Sequence, residues 1–288
     1  SVSAAVNIVA DSGDVLVQAN NAPGVIRGAS ATSVNATSGD LTMATVLSVD
    51  MTVGQSGGGA QLAAGQNLLV NIGSAANTGD ADLLLPASSG TTMIAGQDLT
   101  LNASRVQADG PLTMQAQRDL RTGNSNNQPG SFLTTPADLN LEAGRNLTLQ
   151  LTGGGNLGVQ ADRLLVTAGN NVAIGPATTT TLNATQEVDI NAGQGFSVVS
   201  NALNVNSPQF VVNASGDINS FNLVPSGNVS LTAGQNLVVG RIQGAPNAAL
   251  NGNAIILSSM GNLSGGNYTI NATGTLTQTA TTANGTMT

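Results

Sequence analysis

The chain has 288 residues, fifteen acidic side chains against seven basic ones, a net charge of −8, and neither cysteine nor histidine. That balance excludes nucleic-acid binding through clustered basic residues, and the missing thiols exclude disulfide frameworks, thiolate chemistry and cysteine-based metal sites. No run of about 18 apolar residues occurs, so no helical membrane span is expected.

From the N-terminus, Val6, Ile8 and Ala10 alternate with polar residues, Asp11-Ser12-Gly13-Asp14 intervenes, and Val15 and Val17 resume the alternation. This is a strand, a corner and a strand. The clearest copy is Leu139–Leu151, where Leu139 and Leu141 precede Ala143-Gly144-Arg145-Asn146, and Leu147, Leu149 and Leu151 follow. Gly144 and Asn146 tolerate the left-handed region, which is the expected means of bending the chain sharply there.

An Asn or Asp followed by an apolar residue marks each copy: Asp14, Asp40, Asn67, Asp98, Asp119, Asn146, Asn171, Asp217, Asn236 and Asn262, with degenerate copies at Gly195-Phe196 and Thr275-Leu276. A period of roughly two dozen residues, too short for a strand, helix and strand with loops, marks a β-solenoid. The expected fold is a right-handed parallel β-helix of about eleven or twelve coils, roughly 50–60 Å long at the usual strand spacing. It runs as one body over residues 1–272, with 273–288 a Thr-rich last coil or linker. The scarcity of aromatic residues, four Phe, one Tyr and no Trp, suits a thin core of aliphatic rungs. Two long intervals, Gly73–Gly90 and Arg121–Pro136, are expected to protrude or to hold a displaced strand, and insertions in solenoids often form the binding face. The chain starts at Ser1 without a leader pattern, as expected of a processed protein or an excised fragment.

Three constellations bear on function. Asp80 and Asp82 share a strand face if extended, the minimal carboxylate pair for glycoside hydrolysis, but without His or Lys several acid–base designs are excluded. The marker Asn and Asp residues are expected to stack as a structural corner ladder rather than to bind metal, since the Gly-Gly-x-Gly-x-Asp calcium pattern is absent. Five of the seven basic residues, all Arg, fall in one segment: Arg105, Arg118, Arg121, Arg145 and Arg163. Arg118 and Arg145 share the slot before the corner that other copies fill with Gln, and a guanidinium stripe suits a carboxylated glycan or an acidic partner, with Arg105, Arg118, Arg121 and Arg145 as contacts. No catalytic, metal or cofactor set is read.

The segments Ala95-Gly96-Gln97-Asp98-Leu99-Thr100-Leu101, Ala143-Gly144-Arg145-Asn146-Leu147-Thr148-Leu149 and Ala233-Gly234-Gln235-Asn236-Leu237-Val238-Val239 resemble the repeats of filamentous-haemagglutinin-like exoproteins, the secreted members of two-partner secretion systems in Gram-negative bacteria. The resemblance implies a right-handed β-helical shaft at the cell surface, exported through an outer-membrane barrel partner. The family's Asn-Pro-Asn secretion motif is absent, which points to shaft rather than secretion domain. The family includes adhesins, biofilm-matrix proteins and growth-inhibition toxins. Two other readings stay open: an extracellular filament subunit using its open terminal coils for end-to-end association, and a β-helical polysaccharide lyase or hydrolase.

Overall fold

The computed structural model describes residues 5–20, 22–45, 49–72, 81–124, 132–151, 156–257, 263–278 and 283–287. It is all-β, with 29 strands whose pairings are all parallel, each strand bonding to its counterpart one coil away. Three strand columns result, where the sequence alternation predicts two around each corner.

The first column is seen in the register Ile8, Val34, Leu62, Met93, Met114, Leu141, Val166, Ile190, Val212, Leu231, Leu250 and Ile270. Those from Val34 to Leu250 are at most 1% exposed, which makes about ten turns of closed core. A second column takes the apolar residue after each corner, through Val15, Leu41, Leu68, Leu99, Leu120, Leu147, Val172, Phe196, Ile218, Leu237, Ile255 and Leu276. This register corrects one marker: Ile255, not Leu263, follows Leu237, and Leu263 pairs with Ala283 instead. The 18-residue step from Asn236 to Ala254 brings the corner to Asn253-Ala254 earlier than the longer upstream period suggests.

The third column runs Gly24, Met51, Leu83, Val106, Leu133, Val159, Leu182, Val205 and Pro225. Both expected protrusions contribute strands to the stack. Asp82–Leu85 lies between Met51–Val53 and Arg105–Ala108, and Leu120–Asn124 and Leu133–Thr134 belong to the second and third columns. The tips at 73–80 and 125–131 lie outside the described residues. Strand Leu263–Gln278 crosses the expected boundary after 272, and Ala283–Met287 pairs with it.

Why the chain turns where it does differs from the expectation. Among the described residues no non-glycine has positive φ, and neither Gly144 nor Asn146 is left-handed; of the corner glycines the first, Gly13, does take positive φ, at 89°. Further along the stack the corner glycine is required by contact instead. A Cβ on Gly144 would lie 2.0 Å from the Gln117 carbonyl oxygen, one on Gly169 2.1 Å from that of Gly144, and one on Gly193 1.9 Å from that of Gly169. Each corner backbone sits directly on the one before it. The preceding column is correspondingly small, all alanine from Ala10 through Ala36, Ala64, Ala95, Ala116, Ala143, Ala168, Ala192 and Ala214 to Ala233. Each buried Leu, Val or Ile contributes about 1.5–3 kcal/mol relative to exposure, so stability accumulates coil by coil.

Candidate functional site on the polar corner

The corner side chains form a ladder with a fixed direction. The Asp40 amide donates to Asp14 Oδ1 at 2.9 Å, and the Asn67 amide and Nδ2 both donate to Asp40 Oδ1, at 2.9 and 3.0 Å. The Asp98 amide donates to Asn67 Oδ1 at 3.3 Å, and the Asp119 amide to Asp98 Oδ1 at 3.1 Å. Above them Asn146 repeats the two-donor pattern on Asp119, and Asn171 Nδ2 donates to Asn146 Oδ1 at 3.2 Å. At the far end Asn236 does the same to Asp217 Oδ1, at 2.9 Å from both its amide and Nδ2. A corner Asn is donor and acceptor at once, so it passes the pattern upward, whereas a corner Asp only accepts.

That difference explains the arginines. Arg118 Nη2 reaches Asp98 Oδ2 at 3.2 Å, with Nη1 on Gln97 Oε1 at 3.2 Å, and Arg145 Nη2 reaches Asp119 Oδ2 at 2.7 Å. Each guanidinium, one residue before its own corner, reaches back one coil to an aspartate, its side chain still nearly half exposed. Burial raises the Asp119 carboxyl, but the Arg145 guanidinium and the Asn146 side-chain and backbone donors outweigh it and hold the group below its ordinary value. Arg163 lies 3.6 Å from Glu187 and donates to Gln186 at 3.3 Å.

Arg105 belongs to a different corner, the one leading into the third column. Its Nε and Nη2 both donate to Asp82 Oδ2, the Nε at 3.1 Å, while the Asp82 amide donates to Asp50 Oδ1 at 3.0 Å. The Asp82 side chain is 10% exposed, and its Oδ1 is buried with no partner among the described residues. Arg121 is exposed on the second face, between Thr100 and Thr148. Asp80 and Asn262 lie outside the described residues. The structure therefore brings Arg118 and Arg145 together on one corner and puts Arg105 on another and Arg121 on the second face. Among the described residues no group of three or more Asp, Glu, His or Cys is placed to hold a metal ion.

Sequence reasoning missed a second set of ladders. Asn206 Nδ2 donates to Asn183 Oδ1 at 2.7 Å, Asn213 to Asn191 at 3.1 Å, Asn247 to Asn228 at 2.8 Å, Asn267 to Asn247 at 3.3 Å and Asn271 to Asn251 at 2.8 Å. The signal was present as asparagines recurring one coil apart at strand starts and ends. It is hidden because these positions carry no apolar marker. No family model, curated protein or solved structure matches the chain.

Proposed function

We propose that this chain is a shaft segment of a secreted bacterial surface protein, spacing or displaying an adhesive element and exported through an outer-membrane partner. The observation that carries the reading is continuity: parallel strands stack coil on coil around one unbroken apolar core, a construction that suits a stiff spacer. Its exported, surface-attached setting rests on the resemblance of the Ala-Gly-x-Asn/Asp-Leu repeats to haemagglutinin-type exoproteins. Splicing the segment between a surface anchor and an epitope on a Gram-negative cell tests it. Force-microscopy height of the epitope should rise by about 50 Å, eleven steps of about 4.8 Å. An unchanged height overturns the spacer role.

A second reading, end-to-end association into filaments, is favoured by the first coil, where Ile8, in register with the fully buried Val34, is 38% exposed. Electron microscopy at rising protein concentration separates the two. Long unbranched fibres support association, and isolated rods of about 50 Å remove it.

A further inference from the structure

The corner ladder is interrupted at Gly195, between Asn171 and Asp217. In the coil between Asn171 and Asp217 the corner position is Gly195, and its amide donates to Asn171 Oδ1 at 3.1 Å. The gap opens into a shallow pocket of about 540 Å³ lined by Asn171, Gln194, Gly195, Ser215, Asp217 and Gln235, with backbone from Gly193 and Gly216. No apolar side chain lines it.

What the gap lacks follows from its neighbours. At an intact rung such as Asn67, the side-chain Nδ2 donates down to the corner oxygen below and the side-chain Oδ1 accepts the backbone amide above. At Gly195 the corresponding places are Asn171 Oδ1, which keeps a lone pair beyond the one facing the Gly195 amide, and the Asp217 amide, which meets a glycine where its counterparts meet a carboxylate or carboxamide. The gap thus offers an acceptor below, 3.1 Å from the Gly195 amide, and a donor above, on the next coil. A trans secondary amide fits both, because its N–H and C=O point in opposite directions.

We infer that the corner gap at Gly195 is a binding site for the acetamido group of an N-acetylated amino sugar: its N–H donates to Asn171 Oδ1 and its C=O accepts from the Asp217 amide. The sugar hydroxyls face Gln194, Ser215, Gln235 and the outer oxygen of Asp217, an all-polar lining that suits a saccharide better than peptide side chains. With no aromatic platform and an open pocket, affinity is expected in the millimolar range. The site lies on the corner that carries Arg118 and Arg145, two coils beyond Arg145, and does not depend on the shaft reading.

The test is a titration of the isotope-labelled full chain with N-acetylglucosamine, with glucose and with N-acetylglycine methylamide as controls, followed by amide chemical shifts. N-acetylglucosamine should shift the Gly195 and Asp217 amides saturably and glucose should not. Gly195→Asn supplies the missing rung and should abolish the response. A Cβ at Gly195 would lie 3.1 Å from Asn171 Oδ1, so a shift of a few tenths of an ångström accommodates it. Asn171→Ala, which removes the lower acceptor without adding volume, should weaken the response at least tenfold, so the inference does not hinge on one variant folding. Equal shifts with glucose, shifts confined to other coils, or an undiminished response in both variants overturn it. Shifts as large with the methylamide as with the sugar overturn the saccharide assignment in favour of a peptide amide.

Discussion

The two halves of the rod solve one problem differently. Between Asp14 and Asn171 the coils take 26, 27, 31, 21, 27 and 25 residues, and the corner is carried by aspartates that need donors from outside the ladder. Every ion pair among the described residues falls between Asp82 and Glu187. Beyond Asp217 the spacing tightens to 18, 19 and 20 residues, and where the first column is entered Asn228, Asn247 and Asn267 stack amide on amide in the register that Arg163 and Glu187 occupy upstream. An amide column is self-complementary and needs no counterion, whereas a carboxylate column concentrates like charge and recruits arginine from the next coil.

The largest break in this comparison comes from the core shared by both halves. Leu147 is fully buried between Leu120 and Val172, and Leu147→Asp is expected to cost more than about 4 kcal/mol as an uncompensated buried charge. Hydrogen exchange should show coils around 120–172 losing protection first, with the 228–257 coils holding longer because solenoid repeats are coupled chiefly to their neighbours. An unchanged melting temperature would refute the assigned core face.

Smaller effects sharpen the contrast at the corner. Gly169→Ala drives a Cβ into the Gly144 carbonyl and should cost about 1–3 kcal/mol in denaturant titration, whereas the same change at a merely flexible glycine would cost less. Asn247→Ala removes one donor and one acceptor from the amide column, for about 0.5–1.5 kcal/mol, and this loss should not vary with pH between 3 and 7. Arg145→Ala should cost below about 1 kcal/mol, since the pair is half exposed, but its signature is the pH dependence. The Asp119 carboxyl sits below its unfolded value, so its contribution is present above the unfolded pKa near 3.8 and is lost as pH falls through the lower folded value. Acid titration of the wild type should therefore show a step of destabilisation in the 98–146 coils that Arg145→Ala diminishes and Asn247→Ala leaves intact. High salt should shrink the Arg145 effect and spare the Asn247 effect.

Much of the fold was legible because it repeats. The period-two alternation around Leu147 and its copies placed the first two columns, since side chains of a strand must alternate between core and water. Of the residues that carry the third column, Leu83 lay in a segment read as either a protrusion or a displaced strand, and the strand is what forms; Val106 and Leu133 were not legible, because their strands are as short as two residues, flanked by Gly- and Pro-rich sequence that reads as loop. The same blindness misplaced the marker at Asn262-Leu263, where a shortened period slipped the count. At the corner, the aspartates and arginines were visible as residue types in register, but the pairing of Arg145 with Asp119 one coil earlier is a relation between positions 26 residues apart.

Sequence alone determined that this chain stacks short parallel strands around an aliphatic core, because apolar periodicity and repeat length leave few other ways to bury the same residues. Only the tertiary structure decided that each coil has three sides, that corner glycines such as Gly144, Gly169 and Gly193 are held by contact with the coil below rather than by backbone handedness, and that the ladder is interrupted at Gly195. Each of those depends on what lies one coil away along the rod, and a single strand of sequence records its own residues without recording which backbone they will rest on.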